Sequence, residues 1–125
     1  MGSISRAYAL SELGEYGTAA QALRTELLES VSTGEWVALC EWVALCEWIA
    51  GCLERVGKLD EAGGWYETAA ELSLLELGTR PTACASGALH FFEMASLCYK
   101  REGRVVSASR AAMLSRVLVT RCPPA

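Results

Sequence analysis

The sequence predicts an all-α fold of about six helices, paired as antiparallel helix–turn–helix repeats that stack into a short solenoid, one domain over residues 1–125. Three observations carry this. A skeleton of Gly57, Ala62, Tyr66 and Ala69 recurs as Gly14, Ala19, Leu23 and Glu26, and again as Gly103, Ala108, Ala112 and Ser115. The match continues upstream: Leu10, Leu53 and Tyr99 lie four before the glycines, and Ala7, Ala50 and Ser96 seven before. Proline is scarce, three residues with two in the pair Pro123-Pro124, so little interrupts long helices. Small residues at recurring helical positions mark units that bury their faces by stacking on neighbours.

The helices are expected near 3–13, 17–30, 35–56, 60–76, 82–102 and 105–120. Gly14, Gly57 and Gly103 fall at the turns inside each pair, where a residue tolerating positive φ ends the first helix. Ser32, Thr33 and Gly34 supply a start for the third helix, with Thr33 as N-cap. Gly78-Thr79-Arg80-Pro81 is the clearest break, and Pro81 suits a first helical position.

The third helix holds an unusual segment. Glu35-Trp36-Val37-Ala38-Leu39-Cys40 repeats as Glu41 to Cys46 and, nearly, as Glu47 to Cys52, a local tandem duplication. At about 100° per residue, six steps rotate the pattern by about 240°, so the three tryptophans cannot share one helix face. Leu39, Trp42, Cys46, Ile49, Ala50 and Leu53 form one apolar stripe, with Trp36 at its edge and Trp48 nearly opposite. A strand would align the tryptophans, since six is even, but the segment enters the helical register of the middle unit with no breaker before Gly51. Trp36 and Trp48 then either pack on a neighbouring helix or a second subunit, or face a ligand groove.

These units resemble the tetratricopeptide repeat (TPR) family, as three copies near 1–30, 43–76 and 89–122, the middle one the fullest match. The family's small first-helix residue maps onto Ala7, Ala50 and Ser96, and its second-helix alanine onto Ala19, Ala62 and Ala108. Its period is about 34 residues, whereas these glycines lie 43 and 46 apart, so helices or connections are longer. The resemblance implies a concave groove lined by the first helices. By position that groove offers Tyr8, Ser11 and Glu12, then Glu47, Trp48, Gly51, Glu54 and Arg55, then His90, Glu93, Met94, Leu97, Lys100 and Arg101. One subclass of the family grips the carboxylate of chaperone tails with Lys, Asn and Arg. Those positions here hold Ile4, Tyr8, Trp48, His90 and Met94, so that role is not expected.

Composition narrows the remaining classes. No apolar run reaches the ~18–20 residues of a membrane span, and the first residues lack the pattern of a secretory signal. Six cysteines at 40, 46, 52, 84, 98 and 122 include no Cys-x-x-Cys pair, and His90 is the only histidine, so no metal and no cofactor is expected. Cys52 and Cys98 share a register where the first unit has Ala9, which reads as packing by small apolar thiols. A reduced, cytoplasmic setting follows. No nucleophile–base pair or phosphate loop stands out, Gly63-Gly64 lying inside a helix, so no enzyme is expected.

Residues 1–76 carry four basic and thirteen acidic side chains, a balance of −9, while residues 100–125 carry six and one, a balance of +5. The plainer reading is that these charges solvate the outer faces; the alternative is that the polarity steers association, including head-to-tail contact between copies. The net charge of −4 argues against nucleic acid. The last helix carries Val106, Met113, Leu114, Val117 and Leu118 with no polar cap after it. The expected function is a protein-interaction module or adaptor that binds a peptide or helix in its groove and forms homo-oligomers through Trp36, Trp48, Met113 and Val117. The alternative is a homo-oligomeric building block whose exposed apolar faces drive self-assembly.

Overall fold

Six α-helices, α1 (Gly2–Glu12), α2 (Tyr16–Thr33), α3 (Leu39–Arg55), α4 (Leu59–Leu77), α5 (Ser86–Arg101) and α6 (Val105–Arg121), account for almost all of the computed structural model, which describes residues 2–33, 39–77 and 86–121. Among the described residues there is no strand. Trp36, Cys84, Cys122 and the 78–81 break lie outside them.

The turns inside the three pairs are built alike. Gly14, Gly57 and Gly103 have φ of 80°, 84° and 80°. Each glycine N–H bonds the carbonyl three residues back, Ser11, Glu54 or Lys100, at 3.0–3.1 Å. The next N–H, of Glu15, Lys58 or Arg104, reaches back to Leu10, Leu53 or Tyr99 at 2.9, 2.9 and 2.8 Å. That pair of bonds is a Schellman cap. The carbonyls of Glu15, Lys58 and Arg104 then accept the N–H of Ala19, Ala62 and Ala108, so the following helix starts at once. An added Cβ would meet nothing within 4 Å at any of the three glycines. Backbone conformation, not space, therefore requires glycine there.

Helices pack chiefly on their neighbours in sequence, α1 on α2 through to α5 on α6. One core runs through the stack. Ala7, Ala19, Ala50, Ala62 and Ala69 are fully buried at the skeleton positions, as are Leu23 and, nearly, Tyr66. Cys52 and Cys98, at their shared register, are 3% and 1% exposed.

The duplicated hexads behave differently from a one-stripe helix. Cys46 and Cys52 are both buried, although six residues apart, and Trp42 and Trp48 are both half-buried. The cause is position: α3 is packed by α2 on one side and α4 on the other, so it is covered over most of its circumference. Trp48, expected to point away from the apolar stripe, instead packs against the core.

Candidate functional site

Two adjoining recesses open beside the first helices. One, of about 320 Å³, has Ser11 and Glu12 of α1, Tyr16 of α2, and Trp48, Cys52 and Arg55 of α3 in its walls. The other, of about 350 Å³, is lined by Gly51, Glu54 and Arg55 of α3, Tyr66 of α4 and Arg101 of α5. Gly51 and Arg55 belong to both, which makes the two recesses one groove.

Helix ends and register put these side chains together. Glu12, Arg55 and Arg101 each stand two residues before a capping glycine, so they recur at one level of successive units. Glu54 is the hub of the second recess. Tyr66 Oη donates to its Oε1 at 3.0 Å, and Arg101 Nη1 donates to its Oε2 at 3.2 Å. Burial, then the hydrogen bond to Glu54 and its charge, push the Tyr66 phenol well above its usual range. In the first recess the Arg55 guanidinium lies 4.9 Å from the Tyr16 ring centroid and Nη1 donates to the phenol oxygen at 3.5 Å. Arg55 is thus held on the Tyr16 ring, in a recess that Trp48 also lines.

The thiols are tuned away from reactivity. Burial pushes Cys46 up to about 11; it does the same to Cys98, where the Glu54 charge adds to it and Arg101 opposes it. Burial also raises Cys52, against the Ser11 hydroxyl and the Arg55 cation. Reactive cysteines need the opposite shift. Among the described residues no cluster of three or more His, Cys, Asp or Glu side chains is placed to hold a metal ion, and no helix is long and apolar enough to cross a membrane.

Of the residues expected to form one groove, Glu12, Trp48, Glu54, Arg55 and Arg101 come together. Glu93 and Leu97 line another recess, with Ser96 of α5 and Ala112 and Ser115 of α6. Lys100 belongs to the adjoining recess between α5 and α6, about 450 Å³, which shares Ser96 and Ala112 with it. Tyr8, Glu47 and His90 are exposed, His90 tilted against Phe91 at 5.5 Å, while Met94 packs against the core. Of the expected self-association residues, Met113 and Val117 are exposed, at 62% and 45%. Tyr16 and Tyr66 were not among the expected groove residues, because they come from second helices. Their signal was the skeleton itself: Tyr66 is its aromatic position, and Tyr16 opens the helix after Gly14.

The charge polarity of the chain is largely closed within it. Arg101, Arg104 and Arg110, from the basic end, pair with Glu54, Asp60 and Glu67 of the acidic part at 3.2, 2.9 and 2.8 Å. Among the described ion pairs none uses Lys100 or Arg116.

Comparison with family models, with curated proteins and with solved structures gives no match for this chain.

Proposed function

We propose that this chain is a TPR-like protein-interaction module, whose groove takes a short peptide or helix from a protein partner in a reducing, cytoplasmic setting. The observation that carries the reading is the continuous groove in which Glu12, Trp48, Glu54, Arg55 and Arg101 converge from three successive first helices. Trp48 and Tyr16 offer apolar walls for one inserted side chain, and Arg55 on the rim offers a cation to a flanking carboxylate. Tight enclosure is lacking, which suits an extended surface contact better than a small-molecule substrate.

Peptides selected by phage display on the immobilised chain test this, with affinities followed by titration calorimetry. A selected peptide should lose about tenfold or more in affinity on Trp48→Ala or Arg55→Ala, with the mass of the protein unchanged. Selected peptides that bind both variants as tightly as the parent chain would overturn the groove reading.

One observation favours the second reading, a self-assembling building block. Val105, Val106 and Met113 of α6 are exposed at 71%, 84% and 62%. Apolar residues gathered on an end helix ask for a cover.

A further inference from the structure

The 450 Å³ recess between α5 and α6 has a counterpart inside the molecule. Its lining residues stand 46 positions after a set in the middle unit that α5 and its neighbours cover. Ser96 corresponds to Ala50, Lys100 to Glu54, Ala108 to Ala62, Ser109 to Gly63, and Met113 to Glu67. The middle-unit residues are all buried or half-buried; Lys100, Ser109, Met113 and Arg116 are exposed. The recess is therefore the place that a further first helix would occupy, as α5 occupies its counterpart on α3 and α4.

Two contacts show what that place selects. In the internal joint, Arg101 of the incoming α5 meets Glu54. In the open place Lys100 stands where Glu54 stood, so the incoming helix needs an acid at the Arg101 position. The residue of α1 at that register is Glu12, which is exposed. The second contact is steric. Tyr99 of α5 lies against Gly63, so closely that a Cβ there would be 2.7 Å from its Cε1. Ser109 replaces Gly63 and carries a Cβ, so a tyrosine would not fit; the α1 residue at the Tyr99 position is Leu10. The joint between the first two units already uses that smaller combination, with Ala20 and Leu53 both buried.

We propose that α1 of a second copy docks into the α5–α6 recess, with Glu12 on Lys100 and Leu10 over Ser109, which joins copies head to tail. This builds on the view of the α6 end as an assembly surface; Glu12 also stands in the wall of the groove, whereas Lys100 and Ser109 lie outside it. Arg6 of α1 stands where α3 and α5 have the fully buried Ile49 and Ala95, so the joint between copies is more polar and weaker than those within the chain. The contact is heterologous: each copy leaves a free α1 and a free recess, and growth does not stop at two.

Light scattering and sedimentation over a concentration series test this on the full chain. The mass of the intact protein should climb through successive species. Lys100→Glu and Glu12→Lys should each weaken association by roughly tenfold, through like-charge contact. An equimolar mixture of the two variants should recover it, since Lys at 12 then meets Glu at 100 and the other joint is native. Ser109→Trp, at an exposed position, should leave the helical content intact and abolish growth. A monomer throughout, a species that stops at the dimer, or a mixture no better than either variant would each overturn the proposal. Peptide titration on the Lys100→Glu and Ser109→Trp variants, whose groove residues are unchanged, separates this failure from failure of the groove.

Discussion

Gly63 and Gly64 are neighbours in the middle of α4, and alanine at each should have opposite consequences. Either substitution removes a helix-interior glycine, which favours the folded state by about 0.8–1.0 kcal/mol. The surroundings differ. A Cβ on Gly64 finds only the Tyr99 hydroxyl, at 3.9 Å, an ordinary contact. A Cβ on Gly63 would lie 2.7, 2.9 and 3.0 Å from Cε1, Cζ and Cδ1 of the same ring. Tyr99 is 7% exposed and packed in the core, so the ring cannot swing aside freely. Overpacking of this kind costs about 1–3 kcal/mol. Gly64→Ala is thus expected to stabilise by about 1 kcal/mol, while Gly63→Ala is neutral to destabilising by about 2 kcal/mol. For a chain of this size 1 kcal/mol moves Tm by about 4 °C. Thermal unfolding followed by circular dichroism should place Gly64→Ala above the parent and Gly63→Ala at or below it. Adding Tyr99→Leu to Gly63→Ala should recover stability beyond additivity, because the pair then matches Ala20 and Leu53. Equal melting temperatures for the two alanine variants would refute the reasoning.

The capping turns make a second prediction: Gly57→Ala, at φ 84°, should cost about 1–2 kcal/mol in urea unfolding and Gly57→Asn less, because asparagine tolerates the left-handed region; identical losses would count against strain as the cause. A third concerns alkali. The folded Cys46 and Cys98 thiols titrate at about 11 against an ordinary 9.0, so the unfolded chain loses those protons first. Their contribution is complete below pH 9.0 and is lost as pH rises to about 11, with the buried Tyr66 and Tyr99 phenols extending the decline. Urea midpoints should fall across that window, and less steeply in Cys46→Ala; a midpoint constant through the window would contradict this.

Local chemistry was the most legible part of the fold. The three capping glycines, the buried alanines after them and the shared register of Cys52 and Cys98 all follow from spacing along one chain segment. What spacing could not show was contact between segments. The stripe on α3 identified one buried face, but burial of Cys46 and Cys52 together depends on having α2 and α4 on either side. Trp48 packs against the core for the same reason, because neighbours cover that side of α3 as well. The charge imbalance was plain from composition, yet its internal closure through Arg101–Glu54 and Arg110–Glu67 needs helices that meet only in the folded stack. Gly63 carried no sequence signal beyond weakening a helix; its reason is the Tyr99 ring, 36 residues further on. The candidate groove was half legible. Glu12, Trp48, Glu54 and Arg55 converge with Arg101 of α5, while Glu93, Leu97 and Lys100 of α5 line the recesses against α6, which register alone does not separate.

The capping turns also decide how the chain answers to force. Each couples two helices through hydrogen bonds that span at most five residues, and each helix leans mainly on the ones beside it. A pull on the two ends therefore finds no long-range clamp between distant segments to break all at once. Tension reaches the end pairs first and peels them from the middle pair, whose α3–α4 hairpin is flanked on both sides and should let go last. Such a chain yields by stages, one pair at a time.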